Sequence, residues 1–298
     1  MRILFIFFLL VITYTANAQD DLMDMLQESD STAKPEKVAY TFKAIKLINA
    51  NTIETTKKKT LDFRITHRFG SMKIGEDIGK HTLWGIDNAS NIRFSFDYGL
   101  TDKLSIGIGR SKINEQIDGN LKFRFLDQKE KGFPVSVAYF ANAAISPVSD
   151  IPNDDFANRW SYTHQLIIAS KISRGISLEV LPTLVHRNYV TADVNPDNGS
   201  VDENDLYAIG FAGRFKITKR FAFVADYFMP VSEFRTTSNS YYDALGVGIE
   251  IETGGHVFHV NLSNSAGIIE NEYIPNTRDS WGNKDYKLGF NISRVFNF

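Results

Sequence analysis

The sequence predicts an all-β fold, a transmembrane antiparallel up-and-down β-barrel of about twelve strands over residues 60–298. Three observations predict it. Apolar and polar residues alternate with a period of two through segment after segment, which sends one set of side chains to each face of a strand. The connections between segments alternate between short turns and long polar loops, as in an outer-membrane barrel with its two unlike ends. The final segment carries Phe290, Phe296 and the terminal Phe298 on one parity.

The segments follow in order. Leu61, Phe63 and Ile65 alternate with Asp62, Arg64 and Thr66, and Ile92, Phe94, Phe96 and Tyr98 with Arg93, Ser95 and Asp97. A turn near 100–103 leads to Leu104, Ile106 and Ile108, then Leu121, Phe123 and Phe125 enclose Lys122 and Arg124. After a turn near 128–132 come Val135, Val137 and Tyr139. Leu166 and Ile168 precede a turn at 173–175, and Leu178, Val180 and Leu184 follow it. Tyr207, Ile209 and Phe211, then Phe221, Phe223, Ala225 and Tyr227, flank a turn at 218–220. Leu245, Val247, Ile249 and Ile251 pass through Thr253-Gly254-Gly255 to Phe258, Val260 and Leu262, and Tyr286, Leu288, Phe290 and Ile292 complete the set.

The expected strands are about 8–11 residues long, enough to cross a bilayer at a tilt. Connections near 100, 129, 174, 219 and 254 are short, and those near 70–90, 147–160, 189–204, 232–240 and 264–284 are long. An even strand number places both ends of the barrel on the periplasmic side. A secreted β-sandwich also alternates, but it has no reason to sort its connections by length.

Residues 1–18 join Arg2, an apolar run from Ile3 to Ile12 and Ala16-Asn17-Ala18, the pattern of a secretory signal peptide that leaves Gln19 first. Residues 19–59 form an N-terminal segment, periplasmic or plug-like. Its first part is acidic and broken by Pro35; its second, 40–59, alternates only weakly. The chain has no cysteine, which excludes disulfides, thiolate chemistry and a lipidated N-terminal cysteine. Net charge is −2, or −3 once Arg2 leaves, and gives no support for nucleic-acid binding. Mean hydropathy is −0.20, compatible with a barrel in which only alternate residues face lipid.

Thr66–Ser111 resembles the start of an uncharacterised family of Gram-negative outer-membrane β-barrels, a domain of unknown function. The resemblance rests on His67-Arg68-Phe69-Gly70, Trp84-Gly85-Ile86-Asp87, Ile92-Arg93, Tyr98-Gly99 and Ile108-Gly109-Arg110-Ser111. Lys122 through Gln128 and the terminal strand look similar too. It implies a barrel in the bacterial outer membrane, and no activity, ligand or catalytic residue.

Parity assigns the charged residues of the strands to the lumen, because Arg or Lys facing lipid at mid-bilayer costs about 2–4 kcal/mol. Arg64, Arg68, Arg93, Lys122 and Arg124 form a candidate basic wall. Asp97 lies among them, and Asp226 and Glu250 lie on later strands that face it. Opposed charges of this kind select small polar or anionic solutes in a narrow channel. In the competing arrangement they pair and close the barrel. The small lumen positions Gly107, Gly109, Ala208, Gly210, Gly246 and Gly248 leave space, or room for an inserted N-terminal segment.

The expected function is a narrow, non-enzymatic channel. The alternatives are a closed structural or assembly barrel that binds a partner, and an outer-membrane lipid hydrolase. Hydrolysis needs a nucleophile, a base and an orienting group together. His164, His186 and His259 sit on or near strands, but no GxSxG or HExxH spacing accompanies them. No cofactor is expected. His256 and His259 fall on opposite strand faces, and the acidic loop 193–205 lacks EF-hand spacing. The expected contacts are outer-membrane lipid and a small polar solute, with no nucleic acid.

Overall fold

The computed structural model describes residues 37–38, 40–148, 155–253 and 256–298. The leader expected over 1–18 and the acidic stretch that follows it to residue 36 lie outside the described residues. Twelve strands follow one another: β1 (Thr60–Ser71), β2 (Ala89–Gly99), β3 (Leu104–Ser111), β4 (Ile117–Leu126), β5 (Ser136–Ile145), β6 (Trp160–Lys171), β7 (Ile176–Arg187), β8 (Asp205–Lys216), β9 (Phe221–Val231), β10 (Ala244–Thr253), β11 (His256–Ser263) and β12 (Lys287–Asn297). Two short helices lie in loops, α1 (Asp77–His81) and α2 (Glu270–Asn276).

Each strand pairs antiparallel with its neighbours in sequence, and β1 closes the barrel on β12 with Thr60 opposite Asn297 and Ile65 opposite Ile292. Closure satisfies every strand edge, which is what hydrocarbon demands of a polar backbone. No described helix is long and apolar enough to cross a membrane. The crossing is made by strands.

Alternation sorts the side chains as parity predicts. In β1 the even-numbered Asp62, Arg64, Thr66 and Arg68 are buried, while Phe94, Phe96, Ile106, Ile108, Phe123 and Phe211 are exposed on the outer surface. The start of β1 and the end of β12 share one rim with the connections 100–103, 172–175 and 217–220 and with the paired strand ends Thr253 and His256. The long loops 72–88, 188–204, 232–243 and 264–286 share the other. Two connections are intermediate, 112–116 on the long-loop rim and 127–135 on the short-turn rim.

The inner surface is two-sided. On β1–β4 and β10–β12 the buried inward residues are nearly all polar, among them Arg64, Arg68, Asn91, Arg93, Lys122, Glu250, His259 and Asn291. On β5–β9 they include Phe140, Ile167, Leu181, Val185, Leu206, Val224 and Phe228. These last join a single apolar cluster with Phe42, Leu47, Ile48 and Ile53 of the N-terminal segment and Tyr273 and Ile274 of α2. The barrel therefore has an interior core like that of a globular protein.

Candidate functional site

Residues 41–56 form an irregular hairpin inside the barrel. Its arms are tied by Thr52 N–H donating to the Ile45 carbonyl at 3.0 Å, and Leu47 N–H to Ala50 carbonyl at 2.8 Å closes the tip. Glu54 Oε1 accepts from the N–H groups of Thr41 and Phe42 at 2.9 and 3.2 Å and clamps the base. Between Lys46 and Glu54 the sequence LINANTI holds no charge. Such a run is cheap to bury, because each polar group in it can be met by one neutral or charge-assisted hydrogen bond. That run was the available signal for an inserted segment.

The wall residues predicted from parity meet this hairpin. Arg64 Nη1 donates to the Lys46 carbonyl at 3.1 Å, and Arg68 Nη2 to the Ile48 carbonyl at 2.9 Å. Lys122 Nζ donates to the carbonyls of Ile45 and Thr52 at 2.9 and 3.0 Å. Arg124, half-buried near the short-turn rim, reaches Glu54 Oε2 at 3.4 Å and Asp127 at 3.1 Å. From the other side Asp226 accepts from Asn49 N–H at 2.6 Å, Ala50 N–H at 3.0 Å and Asn49 Nδ2 at 3.0 Å. Donors on one wall and an acceptor on the other thus hold the hairpin tip between them.

The remaining predicted residues do not face across open space. Arg93 is bidentate to Asp118, at 2.5 and 3.2 Å, and Glu250 is taken by Arg214 at 2.7 Å and His259 at 3.1 Å. Asp97 borders a cavity of about 30 Å³ shared with Arg64, Arg93 and Lys122, room for about one water. Local pairing and bonds to the inserted backbone engage the charges of both walls. Lumen glycines are sized to this content. A Cβ on Gly246 would lie 2.8 Å from Ile48 Cγ2, so the hairpin passes directly over that position.

The long-loop rim is closed by the segment 264–286, which sequence reasoning left outside. Residues 270–275 of α2 are all buried. Asn271 is held by Thr163 and Ser161, each at 2.9 Å, and the Phe228 and Tyr273 rings pack edge-on with centroids 4.9 Å apart. Lys46 Nζ donates to the Ile268 carbonyl at 3.0 Å, and Asn51 Nδ2 to Glu270 Oε1 at 3.0 Å. The hairpin and the loop therefore meet inside the barrel. Burial pushes the Glu272 carboxyl up to about 7; its Oε2 accepts from Ile268 N–H and Asn91 Nδ2, and its Oε1 has no partner among the described residues.

Of the histidines, His164 contacts the Tyr139 hydroxyl at 2.6 Å and His186 contacts Asp205 at 2.7 Å, both pairs on the outer surface. In the loop 193–205 the Asp202 carboxylate is taken by Arg187 and Arg235. Trp281 donates its indole N–H to the Leu245 carbonyl at 3.0 Å, whereas Trp84 is exposed in the first long loop.

A closed twelve-stranded antiparallel barrel with an apolar outer face is a transmembrane barrel, here of the bacterial outer membrane. The chain belongs to the family described as the membrane bound beta barrel domain (DUF5777), whose model matches residues 42–296. The match takes in the hairpin as well as the strands. No curated protein matches the chain. Among solved structures, the NanC porin is 10% identical, with a TM-score of 0.48 over 80% of this chain and 99% of that one. The KdgM porin is 7% identical, with a TM-score of 0.45 over 80% and 99%. An outer membrane channel from Pseudomonas putida F1 is 12% identical, with a TM-score of 0.47 over 82% and 98%. These are likenesses of a barrel, and nothing those proteins bind is carried to this chain.

Proposed function

We propose that the chain is a non-enzymatic outer-membrane channel, closed by its own residues 41–56, that passes small polar or anionic solutes when the hairpin withdraws. The observation that carries this is the bonding of the hairpin. Arg64, Arg68 and Lys122 spend charged N–H donors on backbone carbonyls, which an anionic solute or water replaces without loss of hydrogen bonds. The hairpin precedes β1 and contributes no strand to the barrel, so its withdrawal leaves the closed sheet whole. The candidate path residues are Arg64, Arg68, Arg93, Asp97, Lys122, Arg124, Asp226 and Glu250.

A permanently closed structural barrel is the second reading. It is favoured by the apolar cluster that Phe42, Leu47, Ile48 and Ile53 share with β5–β9. A redox lock separates the two. The chain contains no cysteine, and a Cβ on Gly246 lies 3.2 Å from Ile48 Cβ, a few tenths of an ångström short of the disulfide range of about 3.5–4.5 Å, a gap the hairpin tip closes by a small shift. In a planar bilayer the Ile48→Cys/Gly246→Cys variant is expected to be silent when oxidised and to conduct in discrete steps when reduced. Silence in both states, repeated after deletion of residues 41–56 from a correctly folded barrel, selects the closed reading.

A further inference from the structure

We infer that the molecule accepted in place of the hairpin is an amphiphilic anion, with an apolar body for the β5–β9 wall and a head rich in acceptor oxygens for the β1–β4 wall. The inference rests on the channel reading above and names the class of solute.

The hairpin is itself a template of what the lumen accommodates. It offers Phe42, Leu47, Ile48 and Ile53 to an apolar cluster built with Phe140, Ile167, Leu181 and Phe228. It also offers the carbonyls of Ile45, Lys46, Leu47 and Ile48 to Lys122, Arg64, Asn291 and Arg68. Emptied of the hairpin and filled with water, the β5–β9 wall would expose large apolar side chains, which costs free energy in proportion to area. A small hydrated ion repays none of that cost. A solute with an alkyl or ring body does.

The polar half has donor capacity to spare. Arg64 Nη2 and Arg68 Nε have no hydrogen-bond acceptor among the described residues, although both side chains are almost wholly buried; Arg64 Nη2 has only Asp62 at 3.6 Å. Both guanidiniums belong to the layer that binds the hairpin tip, and the small cavity lies against Arg64, Arg93 and Lys122. Of the acidic residues of this wall, Asp118 is taken up by Arg93. Asp62 and Asp97 are paired across β1 and β2 on the short-turn side of Arg64. An anionic head therefore finds its donors in the middle of the lumen, level with the apolar cluster.

The test uses the full-length Ile48→Cys/Gly246→Cys protein in planar bilayers and liposomes, with three probes: octanesulfonate, methanesulfonate and octyltrimethylammonium. In the reduced, conducting state octanesulfonate is expected to block ion current at a concentration at least about tenfold lower than methanesulfonate, since only the first carries an apolar body. The ammonium, with the same tail and opposite charge, is expected not to block. Independently of current, octanesulfonate is expected to slow formation of the engineered disulfide by occupying the space of the hairpin. Equal effects of the two sulfonates, or equal effects of the two octyl probes, overturn the inference while conduction keeps the channel reading. A silent reduced bilayer with slowed disulfide formation keeps the binding site and removes the channel. A silent bilayer with no slowing overturns both.

Discussion

Asn51 Nδ2 donates to Glu270 Oε1 at 3.0 Å, and that bond joins two segments that enter the barrel from opposite rims. Lys46 reinforces it through Ile268 and Glu270. Neither segment is closed off from the other by the strands, so each is a support for the other's docking.

Coupling between them is the first expectation. Asn51→Ala and Glu270→Ala, separately and together, should be non-additive by about 0.5–3 kcal/mol, the range for residues in one network. Hydrogen exchange of residues 41–56 and proteolysis of the loop 264–286 read it. Strict additivity would mean that the two insertions dock independently.

Asp226→Ala removes one acceptor from three donors at the hairpin tip and leaves two backbone N–H groups unpaired. Hydrogen bonds to a charged group are worth about 1.5–3 kcal/mol each. The hairpin should exchange faster by tenfold or more, and step frequency in planar bilayers should rise, while the barrel remains folded on an unboiled gel.

Phe228→Ala opens a cavity between the hairpin and α2, because Phe228 packs on Tyr273 within the cluster that holds Leu47 and Ile48. The expected loss is about 3–5 kcal/mol. It should appear as loosening of both inserted segments in one experiment, with the strand amides unaffected.

Glu179 is buried on β7, and neither of its carboxylate oxygens makes a hydrogen bond of good geometry among the described residues, the Ile53 N–H and the Lys122 ammonium being the groups that attract it. Glu179→Leu removes that unsatisfied group and should stabilise the closed state by about 1–3 kcal/mol. Lower step frequency and a higher melting temperature are the readouts; destabilisation would show that the Ile53 N–H, Lys122 or water satisfies the carboxylate.

The loop 264–286 should loosen with rising pH. The Glu272 carboxyl is held near 7 when docked, against the usual 4.5 of a free glutamate. The docked form keeps its proton where the released form has lost it, so docking is strongest at acid pH and weakens between about 4.5 and 7. Protease sensitivity of residues 264–286 should climb across that window, and Glu272→Gln should flatten the climb.

Much of this was legible in the chain. Phe94, Phe96, Ile106, Ile108, Phe123 and Phe211 announce their lipid-facing parity, and Asp62, Arg64, Arg68 and Lys122 announce the opposite one. The alternation blurs on β6 and β7, where Ile167 follows Leu166 and Leu181 follows Val180. There both faces are apolar, one against lipid and one against the hairpin, and no period-two rule separates lipid from an internal core. The partners of the charged residues were equally hidden, because Arg64 and Arg68 bond to backbone carbonyls, and carbonyls leave no trace in residue identity.

The sequence by itself determined the number of strands, the faces they present and which rim carries the long loops. Each of these follows from local periodicity and connection length, properties of neighbours in the chain. Only the tertiary structure decided that the lumen is filled. Residues 47–50 meet Asp226 and Asn291, and Lys46 meets Ile268, across separations of about 180 to 240 residues. Contacts at that distance are set by closure of β1 on β12, which brings remote side chains around one axis and makes the space the hairpin occupies.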